Sequence, residues 1–257
     1  MRINQVAVQL YTVREHLRSA RDYAQSLRRI RAIGYQAVEI AGPRPIPEME
    51  IAALCAEYGL KICSVHENHD LILCDPGRVA ANLDAFGCAC AVYPIPRGID
   101  LANAAAIDDM IGKLNATGRL LAGEGRQLAY HNHNHEFRQI AGDVILERIY
   151  RETDPHYLKA ELDTYWIQYG GGDIIAWCRR LHGRLTHLHL KDYRTTQDNI
   201  PEFAEVGHGV LDFKPIIGAA EQAGCAWFVV EQDRCPGDPF VSLERSFQYI
   251  AGHLLAS

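Results

Sequence analysis

The chain has 257 residues, 48% of them hydrophobic and 23% charged, with a formal net charge of −6. That is apolar sequence enough for a sizeable core, in a length that suits one large domain or two small ones. The acidic balance and the lack of any long basic run argue against DNA or RNA as a partner, which calls for a basic face.

No apolar run is long enough to span a bilayer. The opening MRINQVAVQLYTVRE enters a strand pattern directly and lacks the apolar stretch of a signal peptide. The eight cysteines are scattered without a Cys-x-x-Cys pair, which speaks against a thiolate zinc site. A reducing cytoplasm is the expected compartment.

Apolar strand-like runs alternate with amphipathic helix-like runs from end to end. The strand candidates are 5–11, 36–41, 61–66, 89–95, 126–133, 158–163, 185–191 and 226–232. Helical patterns lie between them near 17–32, 47–58, 76–86, 101–122, 143–152, 173–182, 212–223 and 241–255. Eight β/α repeats without a composition break predict an α/β fold, a single (β/α)8 TIM barrel occupying 1–257. A Rossmann arrangement is disfavoured because no G-x-G-x-x-G follows the first strand. The longest non-periodic stretch is 192–211, whose Gly207-His208-Gly209 suits either a lid hinge or a plain surface excursion.

The period-2 alternation divides each strand into an apolar face for the helices and a polar face for the barrel interior. The inward rows include Gln9, Tyr11, Glu39, His66, His131, His133, Glu161, Asp163, His187, His189 and Glu231. Polar groups gather toward the C-terminal strand ends, where barrel enzymes keep their chemistry. Asp163, His189 and Glu231 come one each from three consecutive strands, a mixed oxygen and nitrogen set suited to one Mn²⁺, Mg²⁺, Co²⁺ or Zn²⁺ ion. Taken singly, each has an ordinary alternative as a helix cap, a core hydrogen bond or an ion-pair partner. It is their joint placement that points to a metal. The fourth ligand is expected from 130–137, where His131, His133 and Glu136 are all in reach. Lys191 suits a substrate oxygen or an ion pair with Glu161 or Asp192, and Trp166 suits a sugar face or simple packing.

These residues sit in VQLYTVRE, GYQAVEIAG, LAYHNHNHEF, LDTYWIQYGGGD, HLHLKDY, VGHGVLDF and FVVEQD. Taken together they resemble the sugar phosphate isomerase/epimerase family, with its xylose isomerase-like TIM barrel, over nearly the whole length. In that family's epimerases a Glu, Asp, His, Glu quartet holds the ion, and the two glutamates move the proton. The resemblance implies Asp163, His189 and Glu231 as the last three members. His131 occupies the strand position of the first glutamate, and Glu136, the nearest carboxylate, is expected to complete the metal set.

The leading expectation is a metal-dependent isomerase or epimerase of a small sugar or keto-polyol, working through an enediolate. Glu231 with His133 or His131 would transfer protons, and His66, Lys191, Glu39 and Trp166 would contact substrate. The histidine in place of a glutamate suits an alternative, a dehydratase or lyase on an inosose or 3-keto-sugar. A third reading is a non-catalytic sugar-binding or partner subunit. A small sugar or keto-sugar is the expected partner, with no nucleic acid, no membrane and a possible homo-oligomer.

Overall fold

A computed structural model of the chain describes residues 1–255. Eight strands close a parallel barrel: β1 (Val6–Gln9), β2 (Ala37–Ile40), β3 (Lys61–His66), β4 (Cys90–Tyr93), β5 (Gln127–His131), β6 (Leu158–Asp163), β7 (Leu185–Leu190) and β8 (Trp227–Val230). Each pairs with its sequence neighbour, and β8 returns to β1 in the register Val6↔Phe228, Ala7↔Val229 and Val8↔Val230. The surrounding helices are α1 (Ala20–Ile33), α2 (Glu48–Glu57), α3 (Pro76–Phe86), α4 (Ala104–Gly123), α5 (Ile145–Glu152), α6 (Ile174–Arg180), α7 (Phe213–Gln222) and α8 (Pro239–His253). Local chemistry starts them where the sequence suggests. Ser19 caps α1 by accepting from the Asp22 amide, and Asp75 caps α3, which has a proline in its first turn.

The strand faces separate as alternation requires. Val6, Val8, Val38, Ile40, Leu162, Leu188 and Leu190 are fully buried in the large core against the helices, each contributing about 1.5–3 kcal/mol of transfer free energy. Inside the barrel Ala7, Ala37, Cys63 and Val229 form one small apolar cluster, and Cys90, Val92 and Ala129 another. Polar side chains occupy the rows beyond them toward the C-terminal ends of the strands.

Besides three 3-10 helices, Ile3–Gln5, Leu10–His16 (which ends the strand expected over 5–11 at Gln9) and His135–Phe137, four features were not legible as periodic patterns. Two are six-residue helices, His69–Cys74 and Thr164–Tyr169, each under two turns and each started by a side-chain cap, from Asn68 and Asp163. The others are short antiparallel ribbons, Gln139–Ile140 with Asp143–Val144 and Asp192–Thr195 with Pro201–Ala204. The second ribbon lies inside the stretch expected to be irregular. Its strands run from the barrel rim toward exposed residues, so no apolar alternation marks it. The expected hinge is pinned: the amides of Gly207 and Gly209 each donate to Asp192 Oδ2 at 3.0 Å, and that of Leu211 to Oδ1 at 3.2 Å. Gly207 has φ +81°, and a Cβ on Gly209 would collide with the Asp192 carboxylate and the Tyr193 carbonyl. The bends here are fixed by these hydrogen bonds, with close contacts around both glycines.

Candidate active site

The site is built from neighbouring strand ends. β6 turns Leu158, Ala160 and Leu162 outward and Glu161 and Asp163 inward. Asp163 Oδ1 caps the following short helix, accepting from the Trp166 amide at 2.9 Å, while the Asp163 amide donates to Asn132 Oδ1 at 3.1 Å. Its Oδ2 is buried without a hydrogen-bond partner. His189, in register with Asp163, places Nδ1 3.0 Å from Glu231 Oε2 and 3.8 Å from Asp163 Oδ2. His131 completes the group: the ligand atoms of His131, Asp163, His189 and Glu231 all lie within 4.8 Å of one another.

Glu136 does not join them. The 3-10 turn His135–Phe137 carries it toward the outward-facing Tyr130. Its carboxylate accepts from the Tyr130 hydroxyl at 2.9 Å and the His133 amide at 2.9 Å. Burial pushes its pKa up to about 7, against those donors. His131, on the strand itself, takes the place expected of Glu136 beside Asp163, His189 and Glu231.

Glu39 was expected to contact substrate, but it lies one level deeper and is fully buried. Gln9 Nε2 (2.8 Å), Ser64 Oγ (2.7 Å) and His189 Nε2 (2.8 Å) all bond to it. Burial and the nearby Glu161 push its pKa up, yet His66 and His189 outweigh them and hold it below the usual carboxylate value. Trp166, also expected at the substrate, instead packs against His133 and Tyr165, with its ring 5.1 Å from Lys191 Nζ.

Lys191 pairs with Asp233 at 2.8 Å, Glu231 at 3.0 Å and Asp163 at 3.6 Å rather than with Glu161 or Asp192. Strand geometry explains this. Glu161 is in register with His187, below the level of Lys191, and Asp192 has the opposite parity and faces the glycine loop. Burial disfavours the lysine's charge, but the three carboxylates outweigh it and hold the ammonium above its ordinary pKa. Asp163 goes the other way: burial and Glu231 push it up to about 7, against the pull of Lys191 and His189.

A cavity of about 430 Å³ opens above these groups. Strand-end residues Gln9, His66, His131, Lys191 and Glu231 line it together with Arg44, Glu67 and Arg97 from the rim. Asp163 and His189 are fully buried and contribute no wall. Arg44 is held by Glu67 at 2.5 and 3.3 Å, and Glu67 also accepts from Asn82 at 2.9 Å. Asp233 and Glu161 escaped the site reading although they share strand parity with Glu231 and Asp163. Arg44 and Arg97 sit on loops, where no periodicity marks direction.

Two carboxylates and two imidazoles at strand ends form a donor set suited to a divalent ion. One buried atom of this set, Asp163 Oδ2, has no hydrogen-bond partner, as a metal ligand would not. The residues present therefore fit a metal. Such an ion would polarise a carbonyl and stabilise the negative charge that follows loss of an adjacent proton.

Comparison with known proteins agrees with this architecture. The chain is 32% identical over 160 residues to an inosose dehydratase of Geobacillus thermodenitrificans, an alignment covering 56% of this chain and 53% of that protein. It is 29% identical over 143 residues to an inosose dehydratase of Lacticaseibacillus casei, covering 49% of this chain and 47% of the relative. The chain thus spans about half the length of the curated relatives it matches. Among solved structures, a sugar phosphate isomerase/epimerase from Parabacteroides distasonis superposes with a TM-score of 0.82 at 23% identity, over 98% of this chain and 95% of that one. An L-ribulose 3-epimerase superposes with a TM-score of 0.72 at 13% identity, over 96% and 94%. At such identities the two structures speak for the fold alone. Among the described residues no helix is long and apolar enough to cross a membrane. The profile of one family matches residues 27–251, most of the barrel and every strand that supplies the metal-type donors, and so the chain belongs to the xylose isomerase-like TIM barrel family.

Proposed function

We propose that this protein is a metal-dependent dehydratase of an inosose or a related keto-sugar. The observation that carries the reading is the unlike pair of proton-transfer groups on the cavity wall. Glu231 comes from the end of β8 and His133 from the loop after β5, and both line the same space. Asp163, His189, Glu231 and His131 would hold the ion, which supplies Lewis acidity to the substrate carbonyl. One of Glu231 and His133 takes the proton from the carbon beside that carbonyl, giving an enediolate. Lys191, bonded to Glu231 and Asp233, steadies the carboxylates around it. The abstracted proton is then passed, by way of the partner group, to the β-hydroxyl, the C–O bond breaks and water leaves. A carboxylate and an imidazole differ in basicity, which suits unlike steps of abstraction and leaving-group protonation. The dehydratase names of the relatives support the same reading.

The expected isomerase or epimerase outcome is the second reading. It shares the enediolate and differs only in where the proton returns, to carbon instead of oxygen. Its support is that Glu231 and His131 belong to one group yet come from different strands, β8 and β5, as two-sided proton transfer requires. The test is NMR of metal-loaded protein with inososes and keto-sugars in D₂O. A dehydrated product supports the first reading, and an epimer or isomer with solvent deuterium at the α-carbon supports the second. Absence of both product formation and α-proton exchange across the panel overturns the enzyme reading and favours a binding subunit.

A further inference from the structure

Beneath the group described above lies a second one. Three imidazole nitrogens converge on a single oxygen, Glu161 Oε1: His66 Nε2 at 2.6 Å, His131 Nδ1 at 3.1 Å and His189 Nε2 at 3.1 Å. The ligand atoms of His66, His131, Glu161 and His189 all lie within 4.8 Å of one another. Glu161 is fully buried, and its second oxygen, Oε2, has no hydrogen-bond partner; neither has His131 Nδ1. Glu39 stands beside it, 3.4 Å from His66 Nε2.

Two buried carboxylates side by side need a positive charge, and without an ion it is the imidazoles of His66 and His189 that supply it. Among the described residues no lysine or arginine pairs with either; their ion-pair partners are all histidines. Lys191 is committed higher up, to Glu231, Asp233 and Asp163. The backbone is irregular at both carboxylates. The β2–β3 register shifts between Val38 and Glu39, and the β6–β7 register between Ala160 and Glu161. Such irregularities re-aim side chains beside functional sites.

The geometry points to a second, deeper divalent-cation position held by His66, His131 and Glu161, with His189 linking it to the outer group. His189 presents Nδ1 to Glu231 and Asp163 and Nε2 to Glu161 and Glu39. The outer set is half oxygen, whereas the inner one is rich in nitrogen, so the inner position selects Zn²⁺ or Co²⁺ over Mg²⁺. It meets the cavity at His66, a lining residue whose side chain is 12% exposed.

The test is metal stoichiometry, which does not depend on turnover. Protein stripped with chelator is titrated with Co²⁺ and with Zn²⁺, desalted and assayed by plasma mass spectrometry, with the visible Co²⁺ absorption followed alongside. Wild type is expected to bind two ions per chain. His66→Gln and Glu161→Gln should each lower this to one, with loss of one component of the Co²⁺ spectrum. Asp163→Asn should also bind one ion, with the complementary component lost. Wild type saturating at one ion that both inner variants retain overturns the inner position. So does a second ion that survives His66→Gln but is lost in His135→Ala, since that ion lies instead at His133, His135 and Glu136, whose ligand atoms also lie within 4.8 Å of one another. A single ion lost in His66→Gln but kept in Asp163→Asn supports the inner position and removes the outer one on which the proposed function rests. Circular dichroism shows which variants fold, and if neither inner variant folds, the wild-type count of two or one decides.

Discussion

Glu231 is asked to do most. It belongs to the metal group, pairs with Lys191 and faces the cavity. Glu231→Gln removes the charge and the basicity while preserving shape. It should lower turnover by at least about a thousandfold while the circular dichroism spectrum stays that of a folded barrel. Full activity in this variant would falsify the assignment. Lys191 is the buried cation that balances Glu231, Asp233 and Asp163, so Lys191→Met leaves three carboxylates short of a partner. A loss of about 3–5 kcal/mol in urea unfolding is expected, from the uncompensated buried charge. Adding Asp233→Asn should recover part of it, because one of the stranded charges is then gone. No recovery in the double variant would mean that packing on Trp166 and Phe203, not charge, is what Lys191 supplies.

At the scale of the element, the turn after β5 and the loop after the rim ribbon are each organised by one carboxyl group. Glu136 holds the turn through Tyr130 and the His133 amide. Its folded pKa is raised by burial to about 7. A raised carboxyl favours the folded state below its unfolded pKa, and that advantage is lost as pH rises through the folded value. Wild-type stability should therefore fall between about pH 4.5 and pH 7 by roughly 3 kcal/mol from this group. Glu136→Gln should lack that fall, which urea titrations at pH 5 and pH 8 would reveal. Equal pH dependence in both proteins would remove Glu136 as the source. Asp192 organises the loop at 207–211 by accepting three of its amides. Asp192→Ala strands those donors and should cost about 2–3 kcal/mol. Hydrogen exchange at Gly207, Gly209 and Leu211 should rise with it, and unchanged protection there would show that packing on Tyr249 holds the loop instead.

For the whole molecule, the proposed metal would be a ligand of the folded state alone, because its donors come from β5 to β8 and meet only in the closed barrel. Ion at a hundred times its Kd should add about 2.7 kcal/mol. That raises the melting temperature by roughly 5–10 °C for a chain of this size. Chelator should reverse the shift, and Asp163→Asn should show much less of it. A melting curve indifferent to Mn²⁺, Co²⁺ and Zn²⁺ would count against any metal centre here.

The order of eight strands and eight helices was readable because both are local patterns: alternation along a strand, the longer period along a helix, and a cap or glycine between them. The inward parity of Asp163, His189 and Glu231 followed from the same alternation, since a one-residue rule needs no knowledge of neighbours. Which residue stands fourth among them could not be read, because Glu136 and His131 are five positions apart and the 3-10 turn between them sets their directions. The depth of Glu39 and the partners of Lys191 were likewise decided by strand stagger, a property of the closed barrel that no single strand carries. Local periodicity determined which side chains face inward, and only barrel closure decided the level at which each one sits and which groups it meets there.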